Sequence, residues 1–244
     1  MNITLNHRPT NTKSGLTRAS FLYNQSDRDA GNQWLYLDRD KDIDIPLLPN
    51  DYLIIHGGEN IFADDTNFDI GENPNLRKPV CFRFNDKSME ADKAKLTGHE
   101  LRKLDTKLES SKLFADLSGQ ADAMIQDDWM LVVQEKDGYF TIPAGDGETI
   151  DIEECARAER RPPKGQKCYR IKIDGGKYKV DQPSLTGQEI LGLVQKNYRE
   201  WTLNQKLHGG RRKPIEAEQM VDFSQPGVER FETVKKQAQQ GTCV

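Results

Sequence analysis

Gly241 is the residue whose type and position most directly suggest chemistry. It ends a run from Lys235 to Gln240 that holds no apolar residue larger than alanine, and only Thr242-Cys243-Val244 follows it. A polar run of this kind is expected to stay mobile and extended. A glycine has no Cβ to keep its backbone out of a narrow channel or away from an active site. Together these residues describe a chain whose C-terminus is its functional group, and a modifier rather than an enzyme.

The other reactive residue types do not assemble into a site. His7, His56, His99 and His208 are scattered, and none stands at i, i+4 from another ligand, so no metal is expected. Cys81, Cys155, Cys168 and Cys243 lack CxxC spacing. Cys81 and Cys168 open matching strands of two repeats, where small buried residues are expected rather than a disulfide. Cys243 has no neighbouring histidine, and there is no Ser-His-Asp pattern and no phosphate-cradling glycine loop. Neither catalysis nor a cofactor is therefore expected. Gly209-Gly210-Arg211-Arg212-Lys213 resembles an anion site only superficially, because no helix start with Ser or Thr follows it. With a net charge of −4 and no aromatic stacking platform, nucleic acid is not an expected partner.

The elements that must carry the tail repeat. Cys81-Phe82-Arg83-Phe84 and Cys168-Tyr169-Arg170-Ile171 open two copies, which then reach Leu96-Thr97-Gly98-His99-Glu100 and Leu185-Thr186-Gly187-Gln188-Glu189. Trp129 to Val133, Gly138 and Phe140 match Met220 to Phe223, Gly227 and Phe231. A more degenerate first copy offers Ile3-Thr4-Leu5-Asn6, Leu16-Thr17-Arg18, Tyr52-Leu53-Ile54-Ile55, Gly58 and Phe62 in the same order.

Within the third copy, Tyr169 to Ile173 alternates at period two, Asp174-Gly175-Gly176 reads as a hairpin turn, and Tyr178-Lys179-Val180 resumes the alternation. Thr186 with Glu189, and Thr97 with Glu100, form the capping-box pattern of a helix start. Ile190, Leu191 and Val194 in one copy, and Leu101, Leu104 and Leu108 in the other, then mark the apolar stripe. Trp201 to Leu207 reads as a strand, His208-Gly209-Gly210 as a turn, Met220 to Phe223 as a short buried segment, and Phe231 to Val234 as the last strand. The order ββαβ(β)β in about 70 residues is that of a small sheet grasping one helix. Asn67 to Arg77 and Ile152 to Gly165 read as linkers, with room for a short helix over Ile152 to Arg161.

Composition agrees with small units. Apolar residues make up 35% and charged residues 30%, which suits a high ratio of surface to volume. No apolar stretch approaches the roughly 18–20 residues of a membrane span, and no basic-then-apolar leader is present, so a soluble cytoplasmic protein is expected. The front is acidic and residues 165–244 are basic, which would let molecules associate head to tail; drift of solvated faces explains the same asymmetry.

The Leu-Thr-Gly-x-Glu helix start, the final strand from Gly227 to Val234 and their tandem repetition resemble the bacterial multiubiquitin family. The resemblance is fullest over 166–241. It implies an α+β chain of three tandem ubiquitin-like β-grasp domains joined by short linkers, at 1–66, 78–150 and 166–241. It also implies a mechanism. A peptidase would cut between Gly241 and Thr242 and remove 242–244. An E1-like enzyme would adenylate the Gly241 carboxylate and hold it as a thioester, and an E2-like enzyme would deliver it to target proteins, in systems implicated in antiphage defence. Ubiquitin-like tails often end in paired glycines, whereas Gln240 precedes Gly241 here. The pair Gly209-Gly210 lies inside the third copy and reads as a turn. The alternative is a non-covalent scaffold or self-assembling binding protein, in which open sheet edges pair between molecules.

Overall fold

The alternation in Tyr169-Arg170-Ile171-Lys172-Ile173 buries Tyr169, Ile171 and Ile173 and leaves the two cations outward. This strand pairs antiparallel with Gly176–Val180. Asp174 (φ 49°) and Gly175 (φ 91°) close the hairpin with two positive φ values, the type I′ geometry that matches strand twist. The computed structural model describes residues 1–13, 15–26, 33–39, 42–64, 79–145 and 147–236. Gln240, Gly241 and Thr242, and the expected linker over 67–77, lie outside them.

The fold is α+β, with short helices and several sheets. The same hairpin appears at Asn2–Leu5 with Arg8–Asn11 and at Val80–Phe84 with Lys87–Ala91. In each stretch the first strand also pairs in parallel with a later one, setting Leu5 opposite Ile61, Phe84 opposite Tyr139 and Ile173 opposite Phe231. That later strand lies between the first strand and Trp34–Leu37, Ser111–Ala115 or Trp201–Leu207. An edge strand follows at Ile45–Leu47, Ala123–Ile125 or Arg212–Ile215.

One side-chain bond recurs with this arrangement. The turn residues Asn6, Asn85 and Asp174 have φ near 50° and accept the backbone N–H of Ala63 (2.6 Å), Thr141 (2.9 Å) and Thr233 (2.8 Å). Asn and Asp tolerate the left-handed region better than other side chains, and they bring the acceptor with them. Each therefore ties the hairpin turn to the last strand.

The chain divides into two compact units, Met1–Thr141 and Ile142–Val244. Within the first, a four-stranded sheet runs in the order Lys95–Thr97, Met130–Val132, Tyr52–Ile55, Gly15–Arg18. Its two inner strands pair in parallel, Leu131 opposite Tyr52 and Val132 opposite Leu53. Both are covered on both faces. Leu53 and Ile55 pack with Leu22, Leu35 and Ile61, while Ile54 points the other way, among Val80, Phe82, Leu96 and Leu131. Val132 makes the reciprocal insertion into the cluster of Leu53 and Ile55, and Leu131 and Val133 stay with Ile54. Strands buried on two faces read as continuous apolar runs, which is why Tyr52-Leu53-Ile54-Ile55 lacks polar alternation.

In the second unit the corresponding pair, Ser184–Thr186 and Met220–Asp222, stands as a two-stranded sheet. There the alternation is clean: Val221 and Phe223 are buried, and Met220 and Asp222 are exposed.

Four expectations change. The Gly98–Arg102 helix is shorter than the Leu101, Leu104, Leu108 stripe implies: Leu101 is buried but Leu104 is exposed beyond the helix end. The chain turns there because Asp105 is drawn inward, its carboxylate accepting from Thr141 Oγ1 and Asn85 Nδ2. Cys81 is exposed rather than buried, and Cys168 half-buried, because the strand sends Val80, Phe82 and Phe84 inward. Ile152 to Gly165 is not a free linker. Ile150–Asp151 pairs in parallel with the start of Tyr169–Ile173, Asp151 caps the Ile152–Arg157 helix, and Ile152, Cys155 and Ala156 are buried. Glu153 is held there by Lys172 (3.1 Å) and Arg157 (2.8 Å). Finally, the register sets Gly138 opposite Arg83 and Asn60 opposite Thr4, so Asn60 rather than Gly58 is the counterpart of Gly138. Likewise Phe84 faces Tyr139 as Ile173 faces Phe231, so Phe231 corresponds to Tyr139 rather than Phe140, and Arg230 rather than Gly227 to Gly138.

Candidate functional site: the strand that delivers the C-terminal tail

The last strand, Val228–Lys235, carries the chain toward the tail. Val228 and Phe231 bury their side chains, and the outward residues Val234 and Lys235 are exposed. The strand is held on both sides, in parallel by Tyr169–Ile173 and antiparallel by Trp201–Leu207, with Lys235 opposite Trp201. Beyond it, the Lys236 N–H donates to the Glu200 carbonyl at 2.7 Å and its ammonium to the Tyr198 carbonyl. Thr202 Oγ1 donates to the Val234 carbonyl at 3.2 Å. These bonds hold the backbone as far as Lys236, the last described residue.

A polar clamp supports this strand. The Lys196 ammonium donates to Asp174 Oδ2 (2.8 Å) and Thr233 Oγ1 (2.6 Å), and lies 4.0 Å from the centroid of the Trp201 ring. Thr233 donates both its N–H (2.8 Å) and its hydroxyl (2.6 Å) to Asp174. Burial opposes ionisation of Asp174, but the bonds from Lys196 and Thr233 outweigh it and hold the carboxyl below its usual range.

The Leu-Thr-Gly-x-Glu motif has a steric as well as a capping reason. Both boxes are formed: Thr97 and Thr186 accept the N–H of Glu100 (3.1 Å) and Glu189 (3.2 Å), and each glutamate accepts the threonine N–H at 2.7 Å. The glycine between them lies against backbone from another segment. Gly98 donates to the Trp129 carbonyl and Gly187 to the Gln219 carbonyl. A Cβ on Gly98 would collide with the Gln126 carbonyl oxygen, and one on Gly187 with the Glu216 carbonyl oxygen and the Tyr198 hydroxyl. At the first helix Ala19 occupies this place and Arg18 gives no side-chain cap, in line with the missing motif.

Gly209 (φ 82°) and Gly210 (φ 85°) form the tight turn between Trp201–Leu207 and Arg212–Ile215, so this glycine pair is part of a hairpin. Among the described residues no group of three or more His, Cys, Asp or Glu is placed to hold a metal, and no helix is long and apolar enough to cross a membrane.

Sequence reading missed two polar contacts inside the first unit. His56 Nε2 lies 2.7 Å from Asp137 Oδ1, and Lys95 Nζ 2.5 Å from Asp51 Oδ2. Burial pushes the Asp137 carboxyl up against the opposing pull of His56, Gln134 and Tyr139. Partners 81 and 44 residues apart leave no local signal.

The three stretches share one order of sheet strands and one short helix that follows the hairpin, and the last strand of the third ends at Lys235. Residues 169–236 match the family model for multiubiquitin, from the first strand of the hairpin to the last anchored lysine. No curated protein and no solved structure gives a significant match to the chain.

Proposed function

We propose that this chain is a ubiquitin-like protein modifier whose active group is the carboxylate of Gly241. The observation that carries the reading is the multiubiquitin match ending at Lys236, where the last strand hands a polar tether on toward Gly241. On this reading the chain is three tandem β-grasp domains, at 1–66, 78–150 and 166–241. The recurring turn-to-strand bonds of Asn6, Asn85 and Asp174 and the shared strand order support that division.

A peptidase cuts between Gly241 and Thr242. An E1-like enzyme adenylates the freed carboxylate and receives it as a thioester. An E2-like enzyme then delivers it to a nucleophile on target proteins in the cytoplasm, in antiphage defence. Gly241, which has no Cβ, offers little bulk at the point that must enter those active sites, and Gln240 stands there in place of a second glycine. The chain is a substrate of these enzymes and carries no catalytic residue or cofactor of its own.

A second reading, a non-covalent scaffold, draws on the parallel pairing of Tyr52–Ile55 with Met130–Val132, in which two equivalent strand edges associate. The tail separates the two. Gly241→Ala leaves folding untouched and removes higher-mass adducts in cells that hold the partner enzymes, whereas a scaffold tolerates it. An unchanged adduct ladder would exclude the modifier reading.

A further inference from the structure

The strand edge that joins the two halves of the first unit has a counterpart in the second unit that is differently built and, among the described residues, pairs with no further strand. In the first unit, Tyr52–Ile55 and Met130–Val132 meet edge to edge, and each places one apolar side chain, Ile54 or Val132, into the core beside the other strand. The pairings Leu53 with Thr17, Leu131 with Leu96 and Val221 with Leu185 align the three strands. Asp222 therefore stands where Ile54 and Val132 stand.

Phe223 N–H bonds to the Pro183 carbonyl and the Gln219 carbonyl accepts from Gly187, so alternation turns the backbone groups of Met220 and Asp222 toward the open side. Met220 is 57% exposed on this edge. The Asp222 carboxylate accepts from the Ser224 N–H (2.8 Å), Ser224 Oγ (2.7 Å) and Gln225 Nε2 (3.1 Å), which fixes it at the strand end.

We propose that the Met220–Asp222 edge docks an extended segment of another protein, added as a parallel strand, in which an apolar residue alternates with a basic one. The apolar residue takes the place beside Leu185 and Val221 that Ile54 takes beside Leu96 and Leu131. The basic residue faces Asp222. A second copy of this chain using the same edge does not fit, because each Asp222 would be driven into the other copy's apolar interior without a cation. An aspartate in this position is also a known means of keeping an open edge from self-pairing. The proposal is independent of the tail and of conjugation.

The test is an amide NMR titration of the full chain with two capped heptapeptides, Thr-Val-Lys-Val-Lys-Val-Thr and the same sequence with Glu for Lys. The expected result is saturable shifts centred on Met220 and Asp222, with the lysine peptide bound about fivefold more tightly, the upper range for an exposed ion pair. Asp222→Asn keeps the oxygen that accepts from Ser224, so the turn persists, and brings the two peptides within about twofold of each other. Shifts centred on other strands, no binding, equal binding of both peptides to the natural chain, or a dimer of that chain formed through this edge would each overturn the proposal.

Discussion

Ile54→Ala probes whether Met1–Thr141 holds one joined interior or two separate ones. Ile54 is 2% exposed and sits on a strand of the first half, yet it packs among Val80, Phe82, Leu96 and Leu131 of the second. The substitution removes three carbons, about 2.4 kcal/mol at ~0.8 kcal/mol per buried methylene. The pocket left behind is walled by two paired strands that cannot easily collapse, and its cavity term brings the expected loss to about 3–4 kcal/mol. For a unit of this size that lowers the midpoint by about 10 °C.

The assay is hydrogen exchange read by mass spectrometry, alongside a thermal melt. Peptides from 1–64 and from 79–141 should lose protection together, because the missing side chain belongs to one half and its neighbours to the other. Loss of protection confined to 1–64, or a destabilisation below about 1 kcal/mol, would refute the joined-core reasoning.

Gly187→Ala and Gly98→Ala should each destabilise by about 1–3 kcal/mol in urea unfolding, since the new methyl meets backbone carbonyl oxygen rather than a flexible side chain. Gly192→Ala, with nothing near its Cβ position, is the control and should be neutral or stabilising. Asp174→Ala should cost about 1–3 kcal/mol, because it leaves Thr233 and Lys196 without their acceptor and places alanine at positive φ; proteolysis at the hairpin would report it. Glu100 is held down to about 2, chiefly by Lys93 and then by Thr97. Its folded value lies below its unfolded one of 4.5, so its stabilisation is complete above that pH and disappears as pH falls toward 2. Because the group is exposed, the effect should be no more than about 0.5 kcal/mol, seen as a smaller pH 5 to pH 3 stability difference in Glu100→Gln.

Local rules were legible in the residues, and long-range ones much less so. Thr97 with Glu100 and Thr186 with Glu189 announce their capping boxes within four positions, and Asp174-Gly175 announces its turn. The alternation of Tyr169 to Ile173 gives its inward face directly. The contrast between Leu53-Ile54-Ile55 and Val221-Asp222-Phe223 held the difference between a strand covered on both faces and one open to water, but pairing across 78 intervening residues turns that contrast into architecture. Asn6, Asn85 and Asp174 look like ordinary turn residues until the last strand folds back over them. The length of the Gly98–Arg102 helix depended on Asp105 finding Asn85 and Thr141, which no helical periodicity encodes.

The central claim rests on Gly241, and the intact mass of N-terminally tagged protein addresses it most directly. The protein is purified from cells with and without the genes that neighbour its own. The account predicts loss of a mass matching Thr242-Cys243-Val244 only when those genes are present; an uncut chain in both samples would contradict it.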